Sequence, residues 1–219
     1  IDTTANHQLF TKGKVKKMAG DLEMGDKLMV SYKRDIEEKD IDELFLPSIF
    51  NGREDVMLRN IKSFLGKFEN LNTSDNFYQR DSFPIVFIEK FLKKYDKTLQ
   101  DLPSEARISV KRDKISLPIR VNLDNSLLEV LGLYIAEGFA RKNNSEKGFY
   151  QVSISGREVK EFVKKVFLSH FGLNTSYEND DSVTFSSRIV YELFVNYLKM
   201  GHGAKMKRIP QLFLDLRKD

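Results

Sequence analysis

Residues 127–139, Leu-Leu-Glu-Val-Leu-Gly-Leu-Tyr-Ile-Ala-Glu-Gly-Phe, constrain the fold more than any other stretch of the chain. Read as a helix, the segment is apolar nearly all round, so it belongs in the interior with neighbours on several sides. Ser126 with Glu129 three residues on makes a capping-box pattern, and Asp124 and Asn125 are alternative caps. Gly138 falls where such a helix would stop.

Two residues sit awkwardly in an ordinary core helix. Gly132 costs about 1 kcal/mol relative to alanine, and with Ala136 one turn later it makes a small-xxx-small face on which another helix could approach closely. Glu137 places a carboxylate at the negative end of the helix dipole, unfavourable by about 0.3–1 kcal/mol unless a cation sits there. Taken alone, these features also suit a buried helix that ends in a solvated glutamate.

A chain of 219 residues has room for one large domain or two smaller ones. Its apolar runs are short or interrupted by charge, so no membrane span is expected, and a soluble, cytoplasmic protein is. The absence of cysteine excludes disulfides, thiolate nucleophiles and thiolate metal sites. A net charge of +4, from 36 basic and 32 acidic residues, argues for nucleic acid only where the basic residues cluster.

Along the chain, residues 1–30 are dense in turn and strand signals: a lysine- and glycine-rich turn at 11–17, then a tight Met24-Gly25-Asp26 turn before a short apolar strand. Residues 31–52 begin acidic and read as a linker into a new unit. The apolar spacing of Val56, Met57, Ile61, Phe64, Leu65 and Phe68 predicts a helix, residues 70–82 read as irregular, and Ile85, Ile88, Phe91, Leu92 and Tyr95 predict a second helix. Its lysines, 90, 93, 94 and 97, form a face that is ordinarily just solvated, with phosphate contact as the alternative. Residues 108–121 read as a hairpin whose second strand carries Pro118 and so lies at an edge. After Gly138 the patterns give a strand at 149–155, a helix at 157–171, short strands at 175–178 and 183–187, and a helix at 189–200. The class is α+β, with one sheet covered by helices on one face. His202 has no histidine at ligand spacing and reads as a loop residue. Lys205, Lys207 and Arg208 concentrate positive charge beside it.

Two resemblances follow from these residues. Thr4-x-x-His7 with Asp21-Leu22-x-x-Gly25-Asp26 resembles the second conserved block of an intein, the Hint module of protein splicing, while by itself a Thr-x-x-His pair also fits a turn beside a surface histidine. The resemblance gives Thr4, His7 and Asp26 to the splicing block and makes His7 a proton donor to a scissile amide. The family's opening nucleophile and closing His-Asn do not occur here, so splicing by this chain is not expected. Residues 130–138 resemble the signature of LAGLIDADG homing endonucleases of the intein-encoded type, and Lys207-Arg208-Ile209-Pro210 resembles the Lys-x-x-Pro block ahead of a second signature.

The resemblance implies a partial, β-rich Hint segment at 1–30, a linker and mixed helical insert with a hairpin at 31–123, and an αββαββα endonuclease core at 124–219 with one signature copy. It implies a site-specific endonuclease that hydrolyses double-stranded DNA with magnesium, as part of a longer intein-containing protein such as an archaeal DNA polymerase large subunit. Glu137 would be catalytic, with Lys207 or else Lys205 stabilising charge on the phosphate. Glu137 and Gly138 would hold the metal. DNA contacts fall to Arg141, Lys142, Lys147, Tyr150, Gln151, Ser153, Ser155, Thr184, Ser186, Arg188 and Arg208. Gly132, Leu133 and Ala136 would pack against a second signature helix, supplied in cis or by a second copy of the chain. A single signature and a chain that stops near the expected place of a second suggest a truncated piece. Two other classes suit the same residues: a splicing element with a degenerate nuclease, and a maturase- or regulator-like relative that binds nucleic acid without cutting.

Overall fold

In a computed structural model the chain divides into two compact units, residues 1–38 and 39–219. Placement is described for residues 5–13, 15–29, 41–68, 75–143, 148–214 and 216.

The first unit is a small hairpin, with β1 (Gln8–Thr11) antiparallel to β2 (Val15–Met18). The lysine-rich stretch expected as a turn therefore contains a strand, and the reversal is confined to the residues around Gly13, whose φ of +86° suits glycine. The Met24–Asp26 turn is present: the Asp26 amide donates to the Glu23 carbonyl at 3.1 Å, and the Asp26 carboxylate accepts from Lys17 and from the Glu23 amide. The apolar strand expected after it is reduced, in the described residues, to a single bridge between Thr11 and Leu28.

The second unit opens with β3 (Glu43–Phe45), α1 (Leu46–Ile49) and β4 (Val56–Arg59). β4 lies where the spacing predicted a helix. Val56, Met57 and Leu58 are all buried between β5 (Ser82–Pro84) and β6 (Arg107–Val110), a placement that three successive apolar residues suit. Asn60, at φ +57°, breaks the strand and leads to α2 (Lys62–Leu65), a single turn of helix. Residues expected as irregular contribute α3 (Asp75–Gln79) ahead of β5, anchored by partly buried Phe77 and Tyr78 and fully buried Phe83. The helix predicted from residue 85 is α4 (Ile85–Lys93). Among the described residues β7 (Leu117–Pro118) pairs only with β6, so Pro118 lies on an edge as its missing donor requires. The chain then leaves that sheet: β8 (Arg120–Asn122) pairs with β3 instead.

From residue 125 the order is helix, two strands, helix, two strands, helix. The elements are α5 (Asn125–Glu137), β9 (Gly138–Lys142), β10 (Tyr150–Ser155), α6 (Lys160–Phe171), β11 (Tyr177–Glu178), β12 (Ser182–Ser186) and α7 (Arg188–Glu192). α7 continues as a π-helical turn through Tyr197, and α8 (Gln211–Leu214) follows. The strands form one antiparallel sheet in the order β11-β12-β10-β9. Val152, Ile154, Val183 and Phe185 point to one face, where Phe167 of α6 stacks on Phe185 with ring centroids 3.7 Å apart. A single apolar core runs from Leu44 to Met200, so the mixed α+β insert and the sheet that follows share one interior. Among the described residues, no helix is long and apolar enough to cross a membrane.

Candidate functional site

α5 is capped by Asp124, whose carboxylate accepts from the Leu127 amide at 2.9 Å. Ser126 is not the cap; its hydroxyl donates to the same carboxylate at 2.7 Å. The other carboxylate oxygen meets His170 Nε2 at 3.0 Å and ties the start of α5 to the last turn of α6. With Ser126 first among the causes, and with the Leu127 amide and His170 adding to it, the Asp124 pKa is held at about 2.

The helix is not buried all round. Leu127, Val130, Leu131 and Tyr134 face the core, whereas Glu129, Gly132, Ala136 and Glu137 are exposed and Leu128, Leu133 and Ile135 are half-buried. Positions 129, 132, 133 and 136 follow one helical stripe. A methyl group built at Gly132 finds nothing within 4 Å.

At the other end of α5, Gly138 carries φ −89°, ordinary extended backbone, so conformational freedom is not its reason for being glycine. A Cβ there would lie 2.5 Å from Tyr134 Cδ2 and 2.7 Å from the Tyr134 carbonyl, and only glycine permits that approach. Glu137 is thereby delivered to the junction where the helix passes into β9.

The loop at 201–207 folds back onto the same junction. The Tyr134 hydroxyl donates to the Gly201 carbonyl at 2.6 Å, and the Ala140 amide of β9 donates to the His202 carbonyl at 3.0 Å. Gly201 has φ +83°, and a Cβ on it would lie 2.2 Å from the Met206 carbonyl oxygen, so the tight loop requires glycine twice over. The result positions Lys207: its amine donates to the Tyr134 carbonyl and sits 5.2 Å from the centroid of the Tyr134 ring. A cation at the C-terminal carbonyls answers the unfavourable helix-end charge noted in the sequence. Burial pushes the Lys207 pKa down, and the negative charge of Glu137 partly offsets that push. Burial raises the Tyr134 phenol, which stays a donor.

Glu137, Gly138 and Lys207 are therefore gathered at one end of α5. Lys205 and Arg208 are exposed on either side of Lys207. One carboxylate and one backbone carbonyl make an incomplete cage, and no group of three His, Asp or Glu side chains that could hold a metal ion occurs among the described residues. Magnesium characteristically keeps several waters and takes phosphate oxygens as ligands, so two oxygen donors of this chemistry are the least such an ion needs from a protein.

The sheet face opposite the helices carries hydrophilic side chains. Arg141, Gln151 and Ser186 lie side by side on β9, β10 and β12. Arg141 Nε donates to Gln151 Oε1 at 2.7 Å, Gln151 donates to Ser186 Oγ at 3.2 Å, and Ser186 donates to Ser176 Oγ at 2.9 Å. Ser155 lies on the same face, opposite Ser182. Ser153 and Thr184, expected to contact DNA, are buried and bond each other at 2.8 Å. Lys142 and Tyr150 alternate to the other face. Tyr150 packs edge-on to Tyr191, and Arg188 lies over its ring. Arg188 belongs to an ion-pair group with Asp55, Arg53 and Glu192, so folding already occupies its guanidinium. Arg53 is raised in pKa chiefly by its bond to Asp55, whose carboxyl is correspondingly lowered. His7 is exposed on the separate first unit, and Thr4 and Lys147 lie outside the described residues.

Sequence reasoning missed Tyr134, which it took only as apolar bulk. A fully buried tyrosine must find a hydrogen-bond partner for its hydroxyl, and that requirement was the available signal for the loop at Gly201. The ion-pair group left no local trace beyond the i,i+4 spacing of Arg188 and Glu192.

No family model matches the chain. It is 34% identical over 231 aligned residues, covering all of this chain, to the DNA polymerase II large subunit of Thermococcus kodakarensis, and 25% identical over 240, covering 97% of this chain, to an uncharacterized protein of Methanocaldococcus jannaschii. The chain spans only 12% and 26% of the lengths of those two proteins, so the similarity is to one region of a much longer polypeptide in each case.

Proposed function

We propose that residues 124–219 are one half of a metal-dependent, site-specific endonuclease for double-stranded DNA, of the LAGLIDADG type encoded within inteins, and that the whole chain is carried within a longer host protein. One observation carries the reading: the exposed Gly132 and Ala136 stripe runs directly to Glu137, at the junction where Lys207 is tethered. A close-packing face that leads to an acid and a cation suits a paired active site better than a solvated helix end. The helix-strand-strand-helix-strand-strand-helix order and the β9-β10-β12-β11 sheet support it, as does similarity to a region of a polymerase large subunit.

In this reading a second signature helix, in cis or from another copy, lies along the stripe and brings a second carboxylate to Glu137. Two carboxylates so close repel unless a cation lies between them. Glu137 and the Gly138 carbonyl would hold magnesium, which supplies Lewis-acid stabilisation of phosphodiester oxygens. The Lys207 amine keeps two N–H donors free after bonding Tyr134, enough to steady negative charge as it develops on the phosphate. Arg141, Gln151, Ser155 and Ser186 offer side chains to base edges in the major groove, and Arg208 a phosphate contact. The first unit is assigned to the splicing segment, with His7 as its proton donor. Magnesium-dependent linearisation of a plasmid that carries the uninterrupted host sequence, by the complete protein, is the expected result. A salt-dependent gel shift with no nicking would identify a non-cleaving binder instead.

A further inference from the structure

The sheet of β5, β4, β6 and β7 carries a cationic groove that the endonuclease reading does not use. Arg59 at the end of β4, Arg80 and Ser82 at the start of β5, and Lys111, Arg112 and Lys114 in the β6–β7 turn line a recess of about 640 Å³. Five cations surround it and one acid lines it, Asp113, whose carboxylate is turned to the Ile115 amide at 3.0 Å. The neighbouring acids are also committed to the fold: Asp81 accepts from the Ile61 and Lys62 amides, and Asp55 holds Arg53 and Arg188. Arg80, Lys111, Arg112 and Lys114 are exposed and form no ion pair among the described residues. Arg59 spends one guanidinium nitrogen on the Asp113 carbonyl, while its buried Nε has no partner among the described residues.

Such a concentration of unpaired charge is costly in self-repulsion and is relieved by a polyanion. The arginines offer forked donors matched to phosphate oxygens, and the lysines add mobile point charges. We infer that this groove binds the phosphate backbone of duplex DNA as a second contact surface, separate from the Glu137 junction. The choice of DNA over another polyanion rests on the endonuclease reading of the same unit. The surface is sequence-independent, so it adds affinity and positions the duplex without reading bases.

The test compares the 219-residue chain with a variant neutralised in the groove, Arg80→Gln, Lys111→Gln, Arg112→Asn and Lys114→Gln. Asparagine at 112 respects its φ of +68°. A control variant carries Lys90→Gln, Lys93→Gln, Lys94→Gln and Lys97→Gln on and just beyond α4, the same change in charge outside the groove. Binding of a mixed-sequence duplex is measured by fluorescence anisotropy across a salt series, with thermal melting to confirm folding. Losing four phosphate contacts should lower the slope of log affinity against log salt by about 3–4 and weaken low-salt binding at least about tenfold, with a much smaller change in the control. Equal slopes in the groove variant and the parent chain, equal losses in both variants, or a groove that takes polyglutamate and no DNA would each overturn the inference. Failure of the endonuclease reading is visible separately, because Glu137→Gln reports on cleavage and leaves the salt slope in place.

Discussion

Gly132→Ala separates what this chain needs from what a partner helix needs. In mid-helix, alanine is favoured over glycine by about 1 kcal/mol. Among the described residues no contact subtracts from that gain, because beyond the helix's own backbone and the two chain neighbours the added methyl meets no atom within 4 Å. In a protein of this size each kcal/mol moves the melting temperature by about 2–4 °C, so the 219-residue chain should melt about 2–4 °C higher. Urea unfolding followed by circular dichroism should show the same gain as a higher midpoint at unchanged slope. The complete protein should respond in the opposite sense to a larger side chain. Gly132→Leu there should lower the melting temperature, since a close helix seam tolerates only small residues, whereas in the 219-residue chain it should be neutral or stabilising. Destabilisation of the chain by Gly132→Ala, by about 0.5 kcal/mol or more, would refute the reasoning, since it would mean that contacts within this chain require the glycine.

Two further outcomes follow from the charged groups. Glu192→Ala leaves Arg53 and Arg188 sharing Asp55 alone. With the Glu192 side chain only 10% exposed, the loss should be about 2–4 kcal/mol, read as a drop in urea midpoint; a change below about 0.5 kcal/mol would show that the ion-pair group does not hold the segment ahead of β4 to α7. Asp124 has a folded pKa depressed from 3.8 to about 2, so its contribution is fully present above pH 3.8 and lost as pH falls through 2. The carboxylate is 53% exposed, and the contribution is accordingly discounted to about 1 kcal/mol. Asp124→Asn keeps a cap but should flatten the stability change between pH 4 and pH 2, and an unchanged acid limb would show that the carboxylate's charge is not what matters.

Much of the region from residue 125 onward was legible, because its helices carry clear start and stop residues. Asp124 was named among the caps of α5, and Gly172, in the left-handed conformation at φ +65°, ends α6 where the pattern placed it. The strand patterns at 149–155 and 183–187 likewise match β10 and β12 closely. The open side of α5 was not legible. Leucines and isoleucine surround that helix in sequence, and periodicity alone cannot say which of them lack a neighbour. The helix expected from Val56 failed for a related reason: apolar residues at 57, 61, 64, 65 and 68 imitate helical spacing, while the neighbours that bury 56–58 as a strand come from β5 and β6, distant in sequence. At the candidate site, the signature placed Glu137 and Gly138, and a separate block placed Lys207. That the two blocks meet depends on Tyr134 and Gly201, whose contact is purely tertiary. The residues named for base contact divide in the sheet: Arg141, Gln151, Ser155 and Ser186 share one face, Lys142 and Tyr150 lie on the other, and Ser153 and Thr184 are buried beside Gln151, because strand alternation carries no information about depth.

Glu137→Gln in the complete protein tests the central claim most directly. The substitution removes one charge from an exposed side chain that forms no hydrogen bond or ion pair among the described residues, so duplex binding and melting temperature should be retained while magnesium-dependent cleavage collapses by at least about a hundredfold. Cleavage at the parent rate, with binding intact, would contradict the assignment of that carboxylate and with it the proposed active site.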